Sequence, residues 1–216
     1  MIRNFTVVDA PQRSPEWFSS RLGRVTGSKA KCVMMGAITA GRNDYILQLA
    51  LERLTGVPEE LGFVSKEMQR GVDLEPFARM KAESFGPMIR ETGFCRHDRL
   101  MIGASLDGDS EDFRRIWEFK APKSTTHVKY LRSGGDDLVE EYRCQLMHNA
   151  YVTGAEFVVA GSFDDRLPSP LDWVQKEVAV KDLPMGEYET ALICFLVEVD
   201  RLELELKEMM TEAKGK

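Results

Sequence analysis

Apolar and polar positions in this chain follow two periods, and the shift between them marks out its elements. From Ile116 to Lys120 the period is two, with Trp117 and Phe119 on one side and Glu118 and Lys120 on the other, as in a strand with one face on a core. Met101 to Leu106 reads as the strand before it, joined through the turn-rich Gly108-Asp109-Ser110-Glu111-Asp112, so a hairpin is expected to bring Asp107 beside Glu118. Upstream, Ser14 can cap a helix that has Pro15 at its first position, holds Trp17 and Arg21 one turn apart and ends at Gly23. A short helix is expected to begin around Thr26 to Ser28. A clear amphipathic helix runs from Asp44 to Leu54 and stops at Gly56, and Ser65 to Phe85 is mostly helical with a kink or break at Pro76.

Past the hairpin, a loop is expected through Ser124-Thr125-Thr126 and Ser133-Gly134-Gly135. It leads to a helix from Asp136 to Thr153 that ends at Gly154 and stacks Tyr142, Gln145 and Asn149 on one face. Phe157 to Ala160 and Trp173 to Val180 read as strands. The chain closes with Tyr188, Leu192, Phe195, Val199, Leu202, Leu206 and Met209 in 4-3 spacing, a seam on a long helix at about 187–213. Such a seam can bind another subunit, but burial against its own sheet is the commoner fate. No repeat, low-complexity tract or linker interrupts the chain. The expectation is one domain over residues 1–216, of mixed α/β class, with a mixed central sheet flanked by helices.

The candidate chemistry lies in that hairpin. Asp107, ten residues, then Glu118-Phe119-Lys120 place two hard carboxylates and an ammonium together, a set suited to Mg²⁺ or Mn²⁺ and to phosphodiester cleavage. The same residues would also suit the solvated charges of an exposed turn. A net charge of −6 argues mildly against nucleic acid, yet the charge is uneven. Arg114, Arg115, Lys120, Lys123, Lys129 and Arg132 surround the candidate site with Glu118 the only acid among them, either a basic rim for phosphates or a solvated loop. Cys32, Cys95, Cys144 and Cys194 are scattered, which excludes a closely spaced zinc or iron–sulfur motif and suggests buried thiols. Met1 to Thr6 lacks the apolar core of a signal peptide, and no apolar run is long enough to span a membrane, so a cytoplasmic protein is expected.

Five motifs then occur in order. They are Trp17-x-x-x-Arg21-Leu22-Gly23-x-x-Thr26-x-Ser28, Gly71-x-x-x-Glu75, Ser105-x-Asp107-Gly108, Glu118-x-Lys120 and Tyr142-x-x-Gln145. Over roughly residues 12 to 165 the chain resembles the λ-exonuclease family of YqaJ-type viral recombinase nucleases, within the restriction-endonuclease-like PD-(D/E)xK superfamily. The resemblance implies a Mg²⁺-dependent 5′-to-3′ exonuclease on double-stranded DNA, with Mn²⁺ able to substitute. It also implies a ring-shaped homotrimer that works beside a single-strand-annealing recombinase protein. By the same resemblance Asp107, Glu118 and the Phe119 carbonyl are metal ligands, Lys120 is the catalytic lysine, and Glu75 and Gln145 complete the catalytic group. The resemblance likewise assigns Arg21, Ser28 and Ser105 to a pocket for the 5′-phosphate. Leu106 departs from the family's proline before the aspartate, a position that shapes backbone and supplies no ligand.

Each residue also has a plainer role open to it. Arg21 can pair with Glu16, Glu75 with Arg79 four residues on, and Gln145 can be a surface glutamine. Trp17, Trp117 and Tyr142 read as core residues, and His97 and His127 are left outside the site. Two other functions compete with the exonuclease. An endonuclease of the same superfamily has no use for a terminal-phosphate pocket, and a non-catalytic DNA-binding assembly subunit would be expected to lack one of Asp107, Glu118 and Lys120.

Overall fold

The computed structural model describes residues 3–12, 14–59 and 65–214. Its strands form two mixed four-stranded sheets where one central sheet was expected. In the first, β1 (Phe5–Val8), β3 (Phe94–His97), β4 (Ile102–Ser105) and β2 (Val25–Thr26) lie side by side in that order, with β2 parallel to β4. In the second, β5 (Gly108–Asp109), β6 (Arg115–Lys120), β7 (Phe157–Phe163) and β8 (Trp173–Ala179) follow, with β6 parallel to β7. The chain crosses from one sheet to the other at Leu106-Asp107.

This corrects the expected hairpin. β4 pairs with β3 and β2, and the antiparallel partner of β6 is the two-residue β5, through Gly108↔Trp117 and Asp109↔Ile116. Asp109 is fully buried, bonded by Arg90 and Thr92 and bridged through its main chain to Arg90, so it anchors β5 in place.

The alternation along β6 holds. Trp117 and Phe119 pack with Ala78, Ala82, Val159 and Trp173 under α4 (Lys66–Glu83), while Ile116 joins the larger core on the opposite face. α4 runs through Pro76 without a break. Val72, four residues earlier, is exposed, and the buried Leu74, Ala78 and Ala82 hold the helix on the sheet across the missing N–H. Opposite α4 lies α6 (Asp136–Thr153), closed by Gly154 at φ 71°, a left-handed conformation that suits glycine.

The stretch expected as a loop contains the helix α5 (Ser124–Arg132). It buries His127 and Tyr130, and His127 is bonded to Ser162 and to the Leu171 carbonyl, so packing on β7 holds a sequence of modest helix propensity. The remaining helices are α1 (Pro15–Arg21), capped by Ser14, α2 (Ala30–Val33), α3 (Ala40–Thr55) and α7 (Met185–Lys214). Along α7, Tyr188, Leu192, Phe195 and Val199 are buried, Leu202 and Leu206 are half-buried, and Met209 is exposed. This seam packs chiefly on α3 and α6. Arg42 of α3 clamps Glu198 of α7 with two bonds of 2.6 and 2.7 Å. Among the described residues no helix is long and apolar enough to cross a membrane. The thiols are free, with Cys95 buried and Cys194 exposed.

Candidate active site

Where the chain changes sheets, the Asp107 side chain takes over a ladder bond. Its Oδ2 accepts the Phe119 N–H at 2.6 Å, which places the carboxylate beside the adjacent Glu118. Glu118 is only 4% exposed and turned toward α6. Its Oε1 accepts from Lys120 Nζ at 2.5 Å and from Gln145 Nε2 at 2.6 Å, and its Oε2 accepts from Asn149 Nδ2 at 2.9 Å. Lys120 Nζ donates in addition to Gln145 Oε1 at 3.3 Å and lies 4.6 Å from the centroid of the Tyr142 ring. Gln145 is thus a bridge between acid and lysine, not a surface side chain.

Glu75 reaches the group from α4. It is paired with Arg79 at 3.1 Å, as helix spacing allows, and Arg79 Nε also donates to the Asp107 carbonyl at 3.2 Å. Burial and the Glu118 and Glu75 carboxylates push the Asp107 carboxyl well above the usual range, against the pull of Lys120. The Glu75 carboxyl is raised too, chiefly by burial, with Arg79 opposing and Glu118 adding. For Lys120, burial works against the ammonium, but Glu118 and Asp107 outweigh it, so its pKa is raised and the amine stays charged at neutral pH.

Three carboxylates, set against the Lys120 ammonium and the Arg79 guanidinium paired with Glu75, leave an oxygen-rich locus, the donor chemistry of a hard divalent cation. Among the described residues no three His, Cys, Asp or Glu side chains are gathered as a ready-made metal cage. The acids available to a cation at this point are Asp107 and the adjacent Glu118, with Glu75 close enough to act on the Asp107 carboxyl. Bound there, a divalent cation supplies Lewis-acid polarisation of a phosphoryl oxygen.

The second group of residues lies at the same end of the first sheet. Arg21 donates through one guanidinium nitrogen to Ser105 Oγ at 3.0 Å and stacks 4.0 Å over the Trp17 ring. Ser105 precedes Asp107 by two residues, roughly 7 Å in extended backbone. The parallel register Thr26↔Gly103 carries Ser28 out at the same end as Ser105, and Ser28 is exposed on a 3-10 turn over Gly27–Lys29. Trp17 and Tyr142 are half-buried and carry the Arg21 and Lys120 cations, whereas Trp117 is core.

The expected basic rim does not survive as a unit. Arg114 pairs with Glu156 at 2.8 Å and Arg115 with Glu177 at 2.6 Å, at the far end of β6 from Lys120. Two buried polar residues of α6 have no role legible in the sequence. Asn149 lies on the same helix face as Tyr142 and Gln145, as its spacing predicts, and donates to Glu118. His148 is buried behind β4, its ring bonded to the Tyr188 hydroxyl at 2.6 Å and the Gly103 carbonyl at 3.0 Å. The i,i+4 spacing of Gln145 and Asn149 was the available signal for the first.

The fold is that of a nuclease of the restriction-endonuclease-like class, and its family and solved relatives make it an exodeoxyribonuclease. Residues 16–156 match the YqaJ-like viral recombinase domain, and the chain belongs to that family. Its structure is similar to that of an alkaline exonuclease (LHK-Exo) from Laribacter hongkongensis, with 32% sequence identity, a TM-score of 0.82, and coverage of 93% of this chain and 100% of that one. The same enzyme in complex with dAMP matches equally well. A phage related exonuclease from Haemophilus somnus 129PT shares the fold at 12% identity and a TM-score of 0.65, over 85% of this chain and 96% of that one. No curated protein matches the sequence.

Proposed function

We propose that this chain is a Mg²⁺-dependent exonuclease, with Mn²⁺ able to substitute, that degrades the 5′-ended strand of linear double-stranded DNA. It starts from 5′-phosphorylated ends and releases 5′-mononucleotides, leaving single-stranded DNA for phage-type recombination. The observation that carries this reading is the Arg21–Ser105 contact at 3.0 Å, which fixes a guanidinium two residues from Asp107. A planar, charged fork beside the acids suits a phosphate, and a terminal phosphate, with a third free oxygen and a second negative charge, engages it more strongly than an internal one. In this reading Asp107, Glu118 and the Phe119 carbonyl hold the cation, and Lys120 stabilises charge developing on the phosphate. Glu75 and Gln145 keep those groups in register, and Ser28 adds its hydroxyl to the phosphate pocket.

The active form in this proposal is a homotrimeric ring that hands its product to a single-strand-annealing protein. Exposed Phe77, Met80, Phe85 and Met88, on and just beyond α4, are apolar surface that a subunit contact would cover. Enclosure also suits a chain of net charge −6, because topology can hold DNA where a basic field is weak. The test is linear duplex labelled separately at each end and digested with Mg²⁺ or with EDTA, beside light scattering of the active enzyme. Release of 5′-labelled mononucleotide first, only with metal and from a trimer, is the expected result. Label lost first from 3′ ends, or full activity in a monomer, rejects the corresponding part.

A further inference from the structure

Two distant parts of the proposed site meet at one side chain. Gln145 and Asn149 are one turn apart on α6, and each donates its amide to a different oxygen of Glu118. Lys120 and Gln145 share Oε1, so Oε2 rests on Asn149 at 2.9 Å. Asn149 is 1% exposed, and its own Oδ1 has no hydrogen-bond partner among the described residues. An unsatisfied buried carbonyl is costly, and a leucine of similar shape would avoid that cost. The amide is therefore in place for what its NH₂ does, and the Glu118 carboxylate fixes which way it is turned.

The orphaned oxygen faces Gly27. A Cβ at Gly27 would lie 2.4 Å from Asn149 Oδ1 and 3.3 Å from Gln145 Cγ, so the turn that carries Ser28 closes directly on these two side chains. Glycine allows this approach because it has no side chain to intrude.

We infer that Asn149 is a positioning residue that fixes Glu118 for the cation and braces the Gly27-Ser28 turn, coupling the metal site to the terminal-phosphate pocket. This rests on the function proposed above and adds how its two halves are held at a constant spacing. A displaced Asn149 releases Glu118 Oε2 to rotate and relaxes the turn at the same time. Groups that orient a metal ligand typically change metal affinity by about 10- to 100-fold when removed.

The test titrates Mn²⁺ alone, without DNA, into wild type, Asn149→Leu, Gly27→Ala, the double variant and Glu118→Ala, each followed by calorimetry and a thermal melt. Asn149→Leu keeps the volume and removes the donor, and Gly27→Ala pushes Asn149 away without altering it. Each is expected to weaken Mn²⁺ about tenfold or more, and the double variant is expected to be no weaker than the worse single, because both act through one contact. The preference for 5′-phosphate over 5′-hydroxyl duplex falls in the same variants. If Asn149→Leu does not fold, Gly27→Ala carries the same comparison. Unchanged Mn²⁺ affinity in folded Asn149→Leu or Gly27→Ala, or additive losses in the double variant, overturns the inference. Heat in wild type that persists in Glu118→Ala shows that the metal assignment itself is wrong, and the inference falls with it.

Discussion

The Asp107 carboxylate accepts the main-chain N–H of Phe119 at 2.6 Å, and this bond joins the two sheets at the point where the site is built. It spans the place where β4 has ended and β5 has not begun, so Asp107 serves both the fold and the site. Asparagine can accept the same N–H through its amide oxygen while losing the charge.

Asp107→Asn is therefore expected to abolish cleavage and to keep the fold. Because burial and neighbouring acids raise the Asp107 carboxyl well above its ordinary range, its ionised form costs stability at neutral pH. The variant should melt higher than wild type in EDTA at pH 8, and a lower melting temperature would contradict the electrostatic account. Glu118→Ala should likewise lose activity, and residual full activity in either would remove the metal assignment.

Lys120→Ala should lower turnover by about 10²-fold or more while DNA binding is retained, since charge stabilisation grows in the transition state. Gel-shift affinity and single-turnover rate separate the two effects. Weaker binding with an unchanged maximal rate would make the lysine an anchor only.

His148 should make the fold acid-sensitive. Burial pushes its imidazole down to about 4, against the pull of its bond to the Gly103 carbonyl. The folded value lies below the ordinary 6.5, so the unfolded chain takes up the proton first. The neutral ring's full contribution is present above pH 6.5 and is lost as pH falls toward 4, a change of at most about 3 kcal/mol. Urea unfolding from pH 7.5 to 4.5 should show a steeper decline in wild type than in His148→Gln. Parallel declines would show that the histidine does not titrate as described.

Much of the site was legible because its spacing is local. Alternation through Trp117, Glu118, Phe119 and Lys120 separates core from chemistry within one strand, and Gly154 marks the end of α6. What the sequence hid depends on distant partners. β2 and β5 have two residues each and β1 and β3 four, too short for a period to show, and each exists through its neighbours. The helix at Ser124–Arg132 starts in hydroxyl residues that read as a turn, and only burial of His127 and Tyr130 decides it. Arg114 and Arg115 look continuous with Lys120 in sequence, yet in an extended strand Arg115 lies roughly 17 Å away and both are matched by glutamates. Asn149 lacked a role because the contacts that define it, to Glu118 and to Gly27, come from other segments.

The most direct measurement of the central claim compares 5′-phosphate with 5′-hydroxyl linear duplex, and both with covalently closed circles, in wild type and Arg21→Ala. A charge-assisted fork on a phosphate is worth roughly 1.5–3 kcal/mol, so losing the phosphate or the guanidinium should each slow wild-type digestion by about ten- to a hundredfold. The two losses should not add, because they delete one interaction, so Arg21→Ala digests both ends at the same slow rate. Circles should stay intact throughout. Ready nicking of closed circles by wild type, or equal wild-type rates on the two ends, would contradict the account and leave an endonuclease in its place.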